Sequence, residues 1–257
     1  MPAHIDRIRE QFTRQADAYA RMRQATDQRA LEGLVGLAGV GPTDHVLDVA
    51  CGPGFLTMAF AAAAARVVGL DATDAFLALA RAEAARRGLA NVEFQAGDAQ
   101  ALPFPAASFD VVVCRAAYHH LEHPERVLAE MRRVARPGGR LLIADMLGAE
   151  DAATAAEHDR IERLCDPTHV RAIPESEFDR LFAAAGIEVL LRPTLSMDYD
   201  VDEWMAHGGP GPEAAREIVA LLEASIADDR TGLKVRREDG RLRFSHAAAV
   251  FVLQVPG

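Results

Sequence analysis

Residues 46–54 read VLDVACGPG, an apolar run that carries one carboxylate, Asp48, and breaks at Gly52-Pro53-Gly54. A short, continuously apolar run is typical of a strand buried on both faces of a sheet. Glycines directly after such a strand let the backbone turn sharply and let a ligand lie close to it. The stretch therefore predicts a strand that ends at a binding loop. It leaves open whether that loop holds the phosphates of a dinucleotide or a smaller, cationic cofactor.

Strand-like and helical segments alternate around this loop, through residues 45–146. Five segments have the composition of β-strands, namely HVLDVA, RVVGLD, VEFQAGD, FDVVVCR and RLLIADM. The helical segments among them are FLTMAFAAAAA, TDAFLALARAEAARRG and PERVLAEMRRVARPGG. This alternation predicts right-handed βαβ units on a parallel sheet, which is an α/β, Rossmann-like, doubly wound fold. In such a sheet, ligands bind outside the carboxyl ends of the strands.

The chain divides into three predicted regions. Residues 1–40 are expected to form an N-terminal helical cover, residues 41–148 the cofactor-binding core, and residues 149–257 the lid helices and the strands that complete the sheet. We expect all three to form one structural domain. In the last region, IEVLLRPTLSMDY predicts a strand, and KVRREDGRLRFSHAAAVFVLQ predicts two strands joined by a hairpin at Asp239-Gly240.

The composition argues against several classes of function. The 257 residues carry a net charge of −10, and aromatic residues make up 6% of them. Nucleic acids and anionic membranes need positive patches, so neither partner is expected. The N-terminal segment is charged from residue 4, no apolar run reaches the ~20 residues of a membrane span, and three widely spaced cysteines predict no disulfide framework. We expect a cytoplasmic monomer or homodimer without membrane insertion.

Carboxylates follow three successive predicted strands, as Asp48, Asp71 and Asp98. Asp48 would repel a pyrophosphate by about 4 kcal/mol for like charges ~4 Å apart at an effective dielectric constant of ~20, and the third glycine of the dinucleotide fingerprint is missing. Asp71 lies where an acid can bind ribose hydroxyls. Asp98 lies where a carboxylate can accept a hydrogen bond from an exocyclic amine. Together they predict a ligand with a ribose, an amino-bearing base and a cationic end, and S-adenosylmethionine fits.

Four successive segments resemble the motifs of class I S-adenosylmethionine-dependent methyltransferases, in particular the ubiquinone/menaquinone-biosynthesis type and its relatives. They are VLDVACGPG, VVGLDAT, GDAQALPFPAASFDVVVCRAAYHH and RRVARPGGRLLIADM. The segment QFTRQADAYARMR also resembles the N-terminal helix that folds over the cofactor in that family. The resemblance covers about residues 12–146. It implies a seven-stranded sheet with its last strand antiparallel, S-adenosylmethionine as methyl donor with S-adenosylhomocysteine as product, and a small-molecule acceptor.

The resemblance also implies which residues contact the cofactor. Asp71 would hold the ribose hydroxyls, while Asp98 and Ala99 would contact the adenine edge. Tyr19, together with Arg23, would close the site. The full set expected to bind the cofactor comprises Tyr19, Asp48, Ala50, Gly52, Gly54, Asp71, Ala72, Asp98, Ala99, Cys114 and Arg115.

Candidate catalytic residues follow the fourth predicted strand, in YHHLEHPE. Methyl transfer from a sulfonium is an in-line displacement, and it needs a general base only where the acceptor must lose a proton, as with a phenol or an activated carbon. His119 and His120 are the candidates for that base, and Tyr118 beside them would contact the acceptor. Since adjacent residues of an extended backbone point in opposite directions, we expect at most one of the two histidines to face the site.

Further candidates lie in the predicted lid. His169 and Arg171 occur in LCDPTHVRAIP, and Trp204, the only tryptophan, occurs in DEWMAHGGPG. All three are candidates to contact the acceptor, and His169 is also a third candidate base. Each has a structural interpretation as well, because Arg171 and Asp166 could brace the loop and Trp204 could pack in the core.

Two other functions remain open from the sequence. One is a nicotinamide-dependent oxidoreductase on a Rossmann-like fold, and the other is a protein that binds S-adenosylmethionine without catalysis. An arsenite-type methyltransferase is disfavoured because the spacing of the cysteines does not resemble that family's pattern. We expect no metal site, since His119, His120 and His123 have no carboxylate or cysteine that completes a ligand set.

Overall fold

The computed structural model describes residues 3–257, apart from the side chains of residues 23 and 24. Within those residues there are ten helices and ten strands. The helices are α1 (His4–Tyr19), α2 (Arg23–Thr26), α3 (Gln28–Ala38), α4 (Phe55–Phe60), α5 (Asp74–Arg86), α6 (Pro124–Val134), α7 (Ala152–Cys165), α8 (Glu175–Ala184), α9 (Val201–Gly208) and α10 (Pro212–Ser225). The strands are β1 (His45–Val49), β2 (Arg66–Asp71), β3 (Val92–Ala96), β4 (Phe109–Arg115), β5 (Ala135–Gly148), β6 (Ile173–Pro174), β7 (Glu188–Leu191), β8 (Thr194–Asp200), β9 (Arg236–Glu238) and β10 (Arg241–Gln254).

Seven strands form the main path of the sheet, in the order β3-β2-β1-β4-β5-β10-β7. The first five are mutually parallel, and β10 runs antiparallel to both of its neighbours. The predicted Rossmann-like sheet with an antiparallel last strand is therefore confirmed. The strand order reverses between β1 and β4, and this switch point is where doubly wound sheets bind their ligands.

The C-terminal hairpin joins β9 to β10 at Asp239-Gly240, as predicted. The segment predicted as one strand over residues 187–199 is instead two strands, β7 and β8, separated at Arg192-Pro193. Both pair with β10, which is 14 residues long. Proline has no N–H to donate to a sheet, so the strand breaks there, and the long partner strand can pair with both pieces.

Two helix boundaries also differ from the sequence pattern. α4 ends at Phe60 rather than continuing through the alanine run, and the Asn91 side chain donates hydrogen bonds to the carbonyls of Ala61 and Ala64 at 2.8 and 3.1 Å. These bonds satisfy carbonyls that a helix end leaves without partners. After α6, the chain enters β5 directly at Ala135, five residues before the predicted strand.

Two hydrophobic layers cover the faces of the sheet, and a third cluster lies within the C-terminal region. The third cluster includes Trp204, Tyr199 and Phe244 and packs α7, α9 and α10 against β8 and β10. α1 crosses from the core to this region, since it packs against both α5 and α9. No helix in the part of the chain that the structure describes is long and apolar enough to cross a membrane.

Candidate active site

A cavity of about 1040 Å³ lies at the carboxyl ends of β1, β2, β4 and β5. α1 contributes one wall, and α7, α9, β8 and β10 contribute the opposite wall. Small-molecule pockets typically measure about 300–1,000 Å³, so this cavity is as large as the largest of them. It lies at the switch point of the sheet, where the sequence predicts the cofactor.

The loop after β1 reaches the cavity through Ala50 and Gly52, which have φ angles of 56° and 54°. A positive φ at an alanine is uncommon and marks a backbone held by its surroundings, often at a ligand site. Gly54, although predicted to contact the cofactor, does not line the cavity. A Cβ atom there would lie 2.6 Å from the ring of Phe94, so Gly54 is required for packing of α4 against β3.

Asp48 is buried in the cavity wall, with 1% of its surface exposed. Its Oδ2 accepts a 2.6 Å hydrogen bond from the hydroxyl of Thr57. Burial raises the pKa of Asp48 to about 7, in spite of that hydrogen bond and of the charge of Arg115, which both lower it. A cationic ligand in the cavity would stabilise the ionised carboxylate.

Asp71 and Asp98 line the cavity beyond the second and third strands. The two oxygens of Asp71 accept hydrogen bonds from the N–H groups of Gly52 and Thr73, both at 2.8 Å. Asp71 is therefore oriented by the glycine loop, and each of its oxygens retains a second lone pair. Burial raises its pKa above the ordinary value. Asp98 Oδ1 accepts from the N–H of Gln100 at 2.9 Å.

Aromatic rings form the wall that α1 contributes. Tyr19 packs against Phe76 with 5.3 Å between ring centres, and Phe12 contacts both Phe76 and His120 at 5.5 and 5.2 Å. All four rings line the cavity. Burial raises the pKa of Tyr19, which keeps its hydroxyl protonated. The side chain of Arg23, the other predicted closing residue, lies outside the described residues.

His119 forms a buried pair with Asp145 at the end of β5, with 2.6 Å between His119 Nδ1 and Asp145 Oδ1. Burial alone would lower the pKa of His119, but Asp145 raises it above the ordinary value, assisted by Glu162 and Asp166. Since Asp145 occupies Nδ1, Nε2 is the ring nitrogen that can act on an acceptor. Such a pair has the arrangement of a general base with its orienting carboxylate.

Both His119 and His120 line the cavity, contrary to the expectation that only one would. Residues 118–120 form a single 3₁₀ turn instead of an extended segment. Asp145 causes this turn, because its Oδ2 accepts hydrogen bonds from the N–H groups of Ala117 and Tyr118 at 2.9 and 2.7 Å. Burial and the neighbouring His119 lower the pKa of His120 to about 3, so His120 remains neutral.

His169 brings the lid loop to the same part of the cavity. Its Nε2 lies 2.8 Å from Asp159 Oδ1, and its ring centre lies 5.7 Å from that of His119. The N–H of Val170 also donates to the carbonyl of His119 at 2.9 Å. The lid loop is thus attached directly to the backbone of the candidate base, which gives the acceptor side of the cavity a defined wall.

The comparisons with known proteins decide the family. Residues 47–143 match a family model described as a methyltransferase domain. The uncharacterized methyltransferase YcgJ of Bacillus subtilis is 30% identical over 219 residues, which cover 85% of this chain and 87% of that protein. The chain belongs to the class I S-adenosylmethionine-dependent methyltransferases. The crystal structure of YcgJ agrees, with a TM-score of 0.81, 28% identity, and coverage of 89% of this chain and 99% of that one.

The chain is also similar in sequence to ubiquinone/menaquinone-biosynthesis enzymes, but this similarity covers less of its length. The C-methyltransferase UbiE of Ectopseudomonas mendocina is 42% identical over 113 residues, which is 42% of this chain and 44% of that protein. The predicted resemblance is therefore confirmed. The alternative of a nicotinamide-dependent oxidoreductase is set aside, because the chain is a methyltransferase.

Besides Gly54, three predicted site residues of this methyltransferase do not line the cavity. Tyr118 is buried on the other side of its turn, where its hydroxyl donates to the sulfur of Met131 at 3.5 Å and its ring packs on Phe178. Arg171 is paired through both of its terminal nitrogens with Glu177, at 2.9 and 2.5 Å, and braces the lid loop. Cys114 is buried within β4, and the next residue, Arg115, lines the cavity instead.

The remaining predicted residues line the cavity as expected from their positions. These are Tyr19, Asp48, Ala50, Gly52, Asp71, Ala72, Asp98, Ala99, Arg115, His119, His120, His169 and Trp204. Trp204 also packs on Phe244, so it both lines the cavity and belongs to a hydrophobic cluster. The sequence predicted Asp145 as the residue at the end of the fifth strand, where ligands bind, but it did not predict its pairing with His119. It also missed Glu162 and His246, for which the sequence carried no local signal.

Proposed function

We propose that this methyltransferase transfers the methyl group of S-adenosylmethionine to a small-molecule acceptor, and that His119 removes a proton from the acceptor. The observation that carries the proposal is the His119–Asp145 pair, which lines the same cavity as the acids at the strand ends. A base and a cofactor site in one cavity are what an acceptor with an ionisable proton requires.

The residues present fit the cofactor. S-adenosylmethionine supplies an activated methyl group on a sulfonium. Asp48 is a buried carboxylate whose pKa burial has raised, and a nearby cation would relieve the cost of ionising it. In this proposal Asp48, Ala50 and Gly52 contact the methionine part, with Arg115 beside them.

The nucleoside would lie further along the strand ends. Asp71 would accept from the ribose hydroxyls, since its orientation is fixed by the N–H groups of Gly52 and Thr73. Asp98 and Ala99 would contact the adenine edge, and Ala72 would lie beside the ring. Tyr19 would cover the ligand from α1, together with Phe12 and Phe76.

The acceptor would occupy the part of the cavity between His119 and the lid. Met197, Tyr199 and Trp204 line that part with apolar and aromatic surface, and His169 lies near the candidate base. Such a surface suits a flat, largely apolar molecule with one ionisable hydroxyl or an activated carbon, such as a phenol or a quinol. The name of UbiE points to the same chemistry, but that match covers less than half of each chain, so the identity of the acceptor stays a proposal.

The experiment supplies S-adenosylmethionine with an isotope-labelled methyl group, together with defined phenols, quinols and a small-molecule cell extract. We expect label in a small molecule and stoichiometric release of S-adenosylhomocysteine. His119→Gln should lower turnover by about 10²–10⁴-fold with little change in cofactor affinity. His123→Gln is the matched control, because His123 is an exposed histidine outside the cavity.

Two results would contradict the proposal. Full turnover by His119→Gln would show that His119 is not the general base. Tight binding of S-adenosylhomocysteine without transfer to any acceptor would favour the non-catalytic alternative.

A further inference from the structure

Three buried ionisable side chains lie together in the lid, and none of them belongs to the His119–Asp145 pair. His158 and Glu162 lie one turn apart on α7, and the i, i+4 spacing places them on the same face of that helix. His246 comes from β10, where it pairs in register with Met197 of β8. One nitrogen or oxygen atom of each side chain lies within 4.8 Å of the others.

The three side chains leave several buried polar atoms without hydrogen-bond partners, although Glu162 and His246 form an ion pair. They are 4%, 6% and 1% exposed, in the order His158, Glu162, His246. His158 Nε2 and Glu162 Oε1, which lie 3.8 Å apart, are buried and make no hydrogen bond, and His246 Nδ1, which is not the ring nitrogen nearest Glu162, makes none either. His246 Nε2 lies 3.2 Å and His158 Nε2 3.8 Å from Glu162 Oε1, which are ion-pairing distances without hydrogen-bonding geometry. Unsatisfied buried groups are rare in native proteins, and a bound ion is one of the arrangements that satisfies them.

We propose that His158, Glu162 and His246 bind one divalent transition-metal ion, with Zn²⁺ as the expected occupant. The site lies outside the set of residues assigned above to cofactor and base, so this inference goes beyond the proposed function. The expected site has three protein ligands, and its remaining coordination position faces the cavity.

The donor set selects this class of metal. Two imidazoles and one carboxylate suit zinc and its transition-metal neighbours, whereas Mg²⁺ and Ca²⁺ take oxygen ligands. Zinc bonds of about 2.0–2.2 Å separate tetrahedral ligand atoms by roughly 3.4 Å. The observed separations of 3.2 and 3.8 Å from Glu162 Oε1 are close to that value, and all three ligand atoms lie within 4.8 Å of one another.

Zn²⁺ binds neutral imidazoles and an ionised carboxylate, so a bound ion would replace any proton that His246 shares with Glu162.

An ion has a route to the site and a supported position there. Glu162 and His246 line the large cavity, and His158 lies behind them. The ring of Tyr199 packs edge-on against His246 with 5.1 Å between centres, and Phe244 does so at 5.0 Å. These contacts hold the imidazole in place. An open coordination position at the cavity would let the ion contact an oxygen or sulfur atom of a bound molecule.

The experiment measures metal content and does not depend on methyl transfer. Full-length protein is stripped with a chelator, titrated with Zn²⁺ by calorimetry, and loaded with Co²⁺ as a spectroscopic probe. We expect one ion per chain and visible Co²⁺ absorption of a low-coordinate nitrogen–oxygen site. His158→Gln, Glu162→Gln and His246→Gln should each weaken Zn²⁺ binding more than about 100-fold, since even residues that only support metal ligands cost 10–100-fold.

The matched control is His123→Gln, which removes an exposed histidine that lies 3.3 Å from Glu125 in a surface pair of the same residue types. Its Zn²⁺ affinity should equal that of the wild type. Circular dichroism and S-adenosylhomocysteine affinity show whether each variant is folded. Anomalous diffraction at the zinc edge tests the wild-type protein directly, so the proposal does not depend on variants that fold.

Three outcomes would overturn the proposal. One is a wild-type protein that binds neither Zn²⁺ nor Co²⁺ stoichiometrically. Another is an anomalous peak elsewhere in the chain. The third is unchanged Zn²⁺ affinity in folded variants of the three residues, which would make the cluster a buried His246–Glu162 ion pair.

Discussion

His119 Nδ1 lies 2.6 Å from Asp145 Oδ1, while Asp145 Oδ2 accepts the N–H groups of Ala117 and Tyr118. One carboxylate therefore both builds the turn that carries His119 and fixes its ring. The charged groups that face His119 come from several elements, namely Asp145 on β5, Glu162 on α7 and Asp166 in the lid loop. All three raise the pKa of His119, and this has separate consequences for stability and for activity.

The contribution of His119 to stability should fall as pH rises. Its folded-state pKa is raised, so its stabilising effect is fully present below the ordinary histidine pKa of about 6.5 and is lost as pH rises through the folded value. Urea unfolding of wild type and His119→Gln at about pH 5.5 and pH 8.5 measures this. The stability difference should be larger at the lower pH. An equal difference at both would contradict the raised pKa.

The activity should change with pH in the opposite direction. A general base must be neutral, so kcat/KM should rise with pH through an apparent pKa above that of a free histidine. The measurement is the pH profile of methyl transfer to any acceptor that the enzyme accepts. His119→Gln should lose this limb of the profile. A limb that persists in the variant would assign the titration to another group.

Removal of the Asp71 carboxylate should weaken cofactor binding, and it should also lower stability because the N–H groups of Gly52 and Thr73 lose their acceptor. Hydrogen bonds to charged groups contribute about 1.5–3 kcal/mol each, so Asp71→Ala should weaken S-adenosylhomocysteine binding at least ~10-fold. Calorimetric titration measures the affinity. Asp74→Ala is the matched control, because Asp74 is an exposed acid in the next helix and does not line the cavity. Unchanged affinity in Asp71→Ala would refute the ribose role.

Alanine substitutions at the two glycines of the loop should have different effects. Gly54→Ala places a Cβ 2.6 Å from Phe94 at a φ of 77°, so strain and overpacking should lower the free energy of unfolding by about 2–4 kcal/mol. Gly52→Ala also has a positive φ, of 54°, and carries the same backbone strain, but its Cβ would contact only Phe76, at 3.9 Å, so it should lose less stability than Gly54→Ala and should also weaken cofactor binding. Urea unfolding and calorimetry on both variants test this. Equal stability losses would show that the two glycines have the same role.

Arg171→Gln should change stability only slightly. Its pair with Glu177 is partly exposed, and such pairs contribute about 0–1 kcal/mol. Since Arg171 does not line the cavity, KM for the acceptor should remain that of the wild type. A large rise in KM would restore the acceptor-binding role that the sequence suggested.

Local patterns predicted the sheet and the acids at its edge. Strand composition is a local property, and the carboxyl ends of parallel strands meet at one edge, so Asp48, Asp71 and Asp98 could be placed together from sequence alone. The turn at His119 could not be predicted, because it depends on Asp145, which is 26 residues away in the chain. A carboxylate that accepts two backbone N–H groups overrides the extended conformation expected after a strand.

The packing of the lid was predicted less well, because it also depends on contacts between residues that are far apart in the chain. Its helices were visible from their periodicity, but their contacts depend on which of them pack against β8 and β10. His246 belongs to a strand that reads as ordinary apolar sheet, and only the pairing of β10 with β8 brings it to His158 and Glu162. The cytoplasmic location and the monomeric or homodimeric state stay predictions from composition and family.

The most direct test of the proposed function is a crystal structure with S-adenosylhomocysteine. An acceptor atom must lie about 3–3.5 Å from the methyl group and within about 3.2 Å of the base, so the cofactor sulfur should lie within roughly 8 Å of His119 Nε2. We predict that distance, with the ribose on Asp71 and the adenine edge at Asp98. A sulfur that faces away from His119, with the acceptor space on the other side of the cavity, would contradict the account.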